Sequence, residues 1–222
     1  MISRLPKWVE LGAFILALIA GCVNAIGLLG FEQQAVSHLS GTATSMGTEL
    51  FSLSYQKALF LTGILLSFLA GSSIAGFLLH GSTLKLGRHY DTALSIESVL
   101  LAFSSLLLSA GSVYGLLLAS AACGLQNALA TTYSGAIVRT THVTGLFTDL
   151  GIMLGAFFRG QELDYRKAKL FLFIILGFIL GGTAGAFLYQ ELDFKALYVP
   201  SVLCLIIAIT YRVYASRHRE SD

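Results

Sequence analysis

The chain has 222 residues, of which 55% are hydrophobic and only 12% charged, with a formal net charge of +2. A soluble globular domain carries about 25% charged residues, so half that fraction excludes an ordinary water-soluble domain. Disorder is excluded as well, because 15 Phe and 9 Tyr accompany the low charge, and so apolar a chain collapses or partitions out of water. At roughly 20 apolar residues per spanning helix, the composition describes an all-α polytopic membrane protein. It forms one membrane domain over 1–222, with the lipid bilayer as its first partner.

In chain order, Arg4 and Lys7 precede an apolar run that has the form of a secretory leader, and Ile19-Ala20-Gly21-Cys22 has the form of a lipoprotein cleavage box. Apolarity continues past Cys22 to Leu29, beyond the roughly 7–15 residues of a removed leader. The stretch 8–29 is therefore expected to be the first span. Further clear spans are predicted at 58–79, 92–110, 113–130, 168–189 and 196–214, making six. Two segments, 33–51 and 140–158, are rich in Gly, Ser and Thr and carry ionisable groups. They are read as full spans, re-entrant hairpins or broken helices. Cys22, Cys123 and Cys204 each sit in an apolar run, far apart, which predicts packed free thiols rather than disulfides.

The basic residues set an orientation. Arg4, Lys7, Lys85, Arg88, Arg159, Arg166, Lys167, Lys169, Arg212, Arg217 and Arg219 fall on one side of the predicted spans, eleven of the 14 Lys and Arg. Only Lys57 and Lys195 fall on the other, and Arg139 lies in an ambiguous segment. The positive-inside rule then makes both termini cytoplasmic.

The sequence also repeats. Gly21-Cys22-Val23-Asn24-Ala25 and His38-Leu39-Ser40-Gly41 recur as Gly124-Leu125-Gln126-Asn127-Ala128 and His142-Val143-Thr144-Gly145. Farther on, Lys57-Ala58 recurs as Lys167-Ala168, and the run from Phe68 to Ser73 as that from Phe178 to Thr183. Each unit, about 8–110 and about 113–214, holds three clear spans and one ambiguous segment. Three is odd, so the second unit is expected upside down relative to the first, an inverted-topology repeat. That architecture places a binding site at the bilayer midplane on discontinuous helices.

Two strings, Cys123-Gly124-Leu125-Gln126-Asn127-Ala128 and Arg139-Thr140-Thr141-His142-Val143-Thr144-Gly145, resemble the YoaK-type family of bacterial inner-membrane proteins of unknown function. The resemblance covers essentially the whole chain and implies a six- or seven-helix protein of the bacterial inner membrane. It implies no activity. Where that family has an Asp-Ala pair and a Thr-Gly-Asn motif in its first half, this chain has Asn24-Ala25 and Ser40-Gly41-Thr42.

Polar groups inside a bilayer are costly and face a cavity or another helix. Asn24, Gln126 and Asn127 are read either as amides that bind a solute or as interhelical hydrogen bonds. His38 with Ser40-Gly41, and His142 with Thr144-Gly145, read as starts of short helices at membrane depth, the hydroxyls capping and the free N–H groups facing a polar or anionic solute. Glu49 and Asp149 are the candidate ion-coupling acids, with Arg139 as partner to Asp149. Glu97 interrupts the third span, as a proton-carrying carboxyl or as an interfacial group.

Protease, P-loop, dinucleotide and Cys-pair motifs are missing, so the chain is read as no enzyme, with no cofactor and no metal. Its basic clusters fit membrane edges, not nucleic acid. Small-residue runs at 71–76 and 181–185 suit helix packing within the chain or a homodimer. The expected function is a small-solute transporter, with a channel or a membrane scaffold as the alternatives.

Overall fold

The computed structural model describes residues 7–30, 35–79, 89–134 and 138–219. The described residues are helical, with no strand among them. In order they form α1 (Lys7–Leu29), α2 (Leu39–Phe51), α3 (Tyr55–Leu78), α4 (Tyr90–Ser109), α5 (Gly115–Tyr133), α6 (Val143–Phe158), α7 (Tyr165–Leu192), a short 3-10 helix (Asp193–Leu197) and α8 (Tyr198–Arg219). The expected basic loop with Lys85 and Arg88, and the residues up to Arg4, lie outside the described set.

Four stretches are long and apolar enough to cross a membrane: Glu10–Leu29, Tyr55–Leu78, Tyr90–Ser109, and a 52-residue stretch, Tyr165–Ser216, that contains both α7 and α8. The remaining expected span coincides with α5, whose apolar run is diluted by Gln126 and Asn127. The two ambiguous segments become short helices of 13 and 16 residues. At 1.5 Å per residue these reach roughly 20 and 24 Å, short of a 30 Å hydrocarbon core. They are partial helices, not spans.

The ends of α2, α4 and α6 share one device. After α4, Gly111 N–H donates to Leu108 O and Ser112 N–H to Leu107 O; after α6, Gly160 N–H donates to Phe157 O and Gln161 N–H to Ala156 O. These paired bonds close the last turn through a left-handed residue. Gly111 and Gly160 take it at φ of 81° and 84°, whereas α2 places Leu53 there at 57°.

Helix packing is led by α1 against α7 and α3 against α5, and glycine sets both contacts. A Cβ at Gly21 would run into Phe178 O, and one at Gly124 into Phe68 O. Likewise a Cβ at Gly181 would meet Leu18 O, and one at Gly71 would meet Ala121 O. In the small-residue stripes expected to serve helix packing or a homodimer, Gly71, Gly181 and Gly185 face α5 and α1 of the same chain, while Gly76 faces open space. Hydroxyls lock the α3–α5 contact: Ser72 Oγ donates to Gly124 O at 3.0 Å and Ser120 Oγ to Ile64 O at 3.0 Å.

These contacts fix helix directions. Along α1 and α7 the partners rise together, from Glu10 with Arg166 to Cys22 with Gly185, so the two run parallel. So do α3 and α5, from Gly63 with Leu117 to Phe68 with Gly124. By contrast α4 and α8 run antiparallel, with Ser98 on Ser201 and Tyr90 on Tyr211. At one end of the bundle Gly30, Ser105 and Phe194 meet, so α1, α4 and α7 all finish there. α3, α5 and α8 run the other way. Between them lies a core in which Cys22, Cys123 and Cys204, all free and buried, pack with Ile26, Leu101 and Leu116.

Candidate functional site

The short helices start inside the bundle because polar groups on long helices hold their lead-ins there. Asn24 Oδ1, buried in α1, accepts from Ser37 N–H at 3.2 Å and from Ser37 Oγ at 2.8 Å, one residue before His38. In the other half, Thr140 Oγ1 donates to Gln126 Oε1 of α5 at 3.3 Å, two residues before His142. Glu10, ion-paired to Arg166 and Lys169 at 3.3 and 3.6 Å, marks one end of the bundle. Asn24 is 14 residues beyond it, roughly 21 Å along the helix. Gln126 is 11 residues into the antiparallel α5, roughly 17 Å from the opposite end. Asn24 lies five residues short of the end of α1 and Gln126 seven short of the end of α5, so both brackets are within their helices and not at the tips.

Between the two starts lies an open cavity of about 640 Å³, lined among others by His38, Ser40, Asn127, Arg139, His142 and Thr144. Five residues expected at one site are therefore together. Asn24 and Gln126 lie behind the wall as braces, and Gly41 does not line it. Ser40 and Thr144 are not the caps expected of them. The helices begin at Leu39 and Val143, so His38 and His142 occupy the cap positions, and neither makes a side-chain capping bond. The hydroxyl residues fall in the first turn, where Ser40 O accepts from Thr44 Oγ1 at 2.9 Å and Thr144 O from Thr148 Oγ1 at 3.0 Å. Each helix start thus leaves its first N–H groups without a helical acceptor.

The histidines pack differently. His38 stands against the Phe178 ring at 5.7 Å. His142 folds over its own helix, where a Cβ on Gly145 would collide with the imidazole, whereas Gly41 faces open space. Gly145 is needed for room, Gly41 is not.

Arg139 borders this cavity and also a second cleft of about 460 Å³, shared with His142, Thr148 and Asp149. Among the described residues no ion pair joins Arg139 to Asp149. Asp149 thus lies beside the histidine-lined cavity, and Glu49 lies elsewhere, in a separate cavity of about 680 Å³ with Lys57 and Tyr114. Neither acid is on the wall of the histidine-lined cavity, because both sit past the first turn of helices whose starts face it. Two features escaped sequence reasoning. Ser37 and Thr141 line the cavity, visible in sequence only as neighbours of the histidines. Asn127 Oδ1 is sealed from solvent without a hydrogen-bond partner.

The charge and the dipoles that face the cavity are positive. Two helix starts present N–H groups with partial positive charge, and the Arg139 guanidinium adds a permanent cation with a planar fork of donors.

A family of proteins of unknown function, DUF1275, matches residues 12–210. The chain belongs to the DUF1275 family. The match takes in both short helices, both brackets and all the cavity residues, so the site lies wholly within the DUF1275 region. No match was found among curated proteins or solved structures.

Proposed function

We propose that the chain is a small-solute transporter of the bacterial inner membrane, carrying a polar or anionic solute through the cavity between the starts of α2 and α6. The single observation that carries this reading is two partial helices opening on one cavity at depth, with Arg139 beside them. It is the arrangement by which discontinuous helices hold anionic groups in transporters.

The two halves are read as inverted-topology repeats. Supporting this, α1 runs opposite to α5 and α3 to α7, the helices that carry the matching strings, and α4 runs opposite to α8. The glycine–carbonyl contacts also recur between matched residues, Gly21 on Phe178 as Gly124 on Phe68. Transport then proceeds by rocking one half against the other about the fixed site, with both termini cytoplasmic. No enzymatic step is part of this reading.

Binding is tested by thermal shift of the purified protein against chloride, nitrate, sulfate, phosphate, acetate and benzoate. A bound solute raises the melting temperature by mass action. At least one anion is expected to do so in the wild type and to lose the effect in Arg139→Gln and Thr144→Ala. Equal shifts in all three proteins, or none in the wild type, contradict the reading.

A further inference from the structure

Among the described residues Glu97 is the one buried acid, and it does not line the cavity. It lies seven residues into α4 and is only 2% exposed, so the bundle itself encloses it. Its Oε2 has no hydrogen-bond partner, and neither has Gln126 Nε2. The side chains beside its carboxyl are the Gln126 amide from α5 and the Cys204 thiol from α8. Cys123 of α5 also faces it. The 3-10 helix, the remaining element on α4, brings buried Phe194, Ala196 and Leu197, while its Asp193 and Lys195 are exposed. Thiols are the only titratable groups turned toward it from these elements among the described residues.

Gln126 connects this carboxyl to the cavity. Its Oε1 is the acceptor that holds Thr140, and Thr140 adjoins Arg139 and Thr141, both on the cavity wall. An amide offers a donor on one side and an acceptor on the other. A carboxylate at Glu97 accepts from Nε2–H and leaves Oε1 to Thr140. A carboxylic acid instead donates its O–H proton, which competes for Oε1 and loosens Thr140. No bond other than the O–H forms or breaks.

We propose that Glu97 is a proton-binding site, and that its proton is coupled through Gln126 and Thr140 to the segment carrying Arg139 and His142. The coupling to solute rests on the transporter reading, but the proton site and its link to the cavity do not need a solute. A buried carboxyl on a spanning helix, with a named polar partner, is what such a role requires.

Two measurements on the full chain in proteoliposomes test it. First, infrared difference spectra across a pH titration should show a carboxylic-acid C=O band that disappears in Glu97→Gln. A titration unchanged by that substitution overturns the proposal. Second, Thr144→Cys places a reactive thiol in the cavity, the three native thiols being buried. Its alkylation by a small maleimide is followed against pH with Glu97 and with Glu97→Gln. The ratio of the two rates should change by about fivefold or more across the titration, the low end of ordinary coupling between two sites. A flat ratio overturns the coupling. Failure of the anion thermal shifts, with these two results positive, would contradict the solute reading alone.

Discussion

Asn24 shows how one amide shapes this molecule. Its Oδ1 takes both the N–H and the hydroxyl of Ser37, so the chain leaving α1 is drawn back to the level of Asn24 before α2 begins. Removing it strands two buried donors, which costs about 1–3 kcal/mol for a group left unsatisfied. Asn24→Leu is therefore expected to lower the melting temperature and to weaken any anion shift, because His38 and Ser40 lose their anchor. Thr144→Ala should remove the shift without that loss of stability, since Thr144 is exposed and braces nothing. If Asn24→Leu melts like the wild type, the bracket does not hold the lead-in.

At the scale of helices, the parallel pairs α1–α7 and α3–α5 depend on backbones meeting without side chains between them. A Cβ at Gly21 or Gly124 would collide with a carbonyl, so the helices must part. Overpacking of this kind costs about 1–3 kcal/mol. Gly21→Ala and Gly124→Ala are expected to lower the melting temperature by similar amounts, because the two contacts are counterparts. Gly12→Ala, with nothing within 4 Å, should be neutral or slightly stabilising, as Ala is the better helix former. A harmless Gly21→Ala beside a damaging Gly124→Ala would contradict the equivalence of the two halves.

Across the whole molecule, the long helices were legible because their apolar runs match the bilayer thickness. The repeated strings stand out in the sequence because Asn, His and Gly punctuate them at matching spacing. The roles were less so. Asn24 and Gln126 read as possible ligands of a solute, but only their partners, Ser37 and Thr140, show them to be braces. Ser40 and Thr144 read as caps, yet a one-residue difference in helix start moves a hydroxyl from cap to first turn. Arg139 and Glu97 take their meaning from distant helices that no local pattern encodes.

The central claim is that the two short helices hold a solute which the chain carries across a membrane. Counterflow tests it most directly: proteoliposomes loaded with the anion that raises the melting temperature most, diluted into a trace of the labelled anion. Transient accumulation above equilibrium is expected for the wild type, and its loss in Arg139→Gln. Equilibration without overshoot, or an overshoot unchanged by Arg139→Gln, would contradict it.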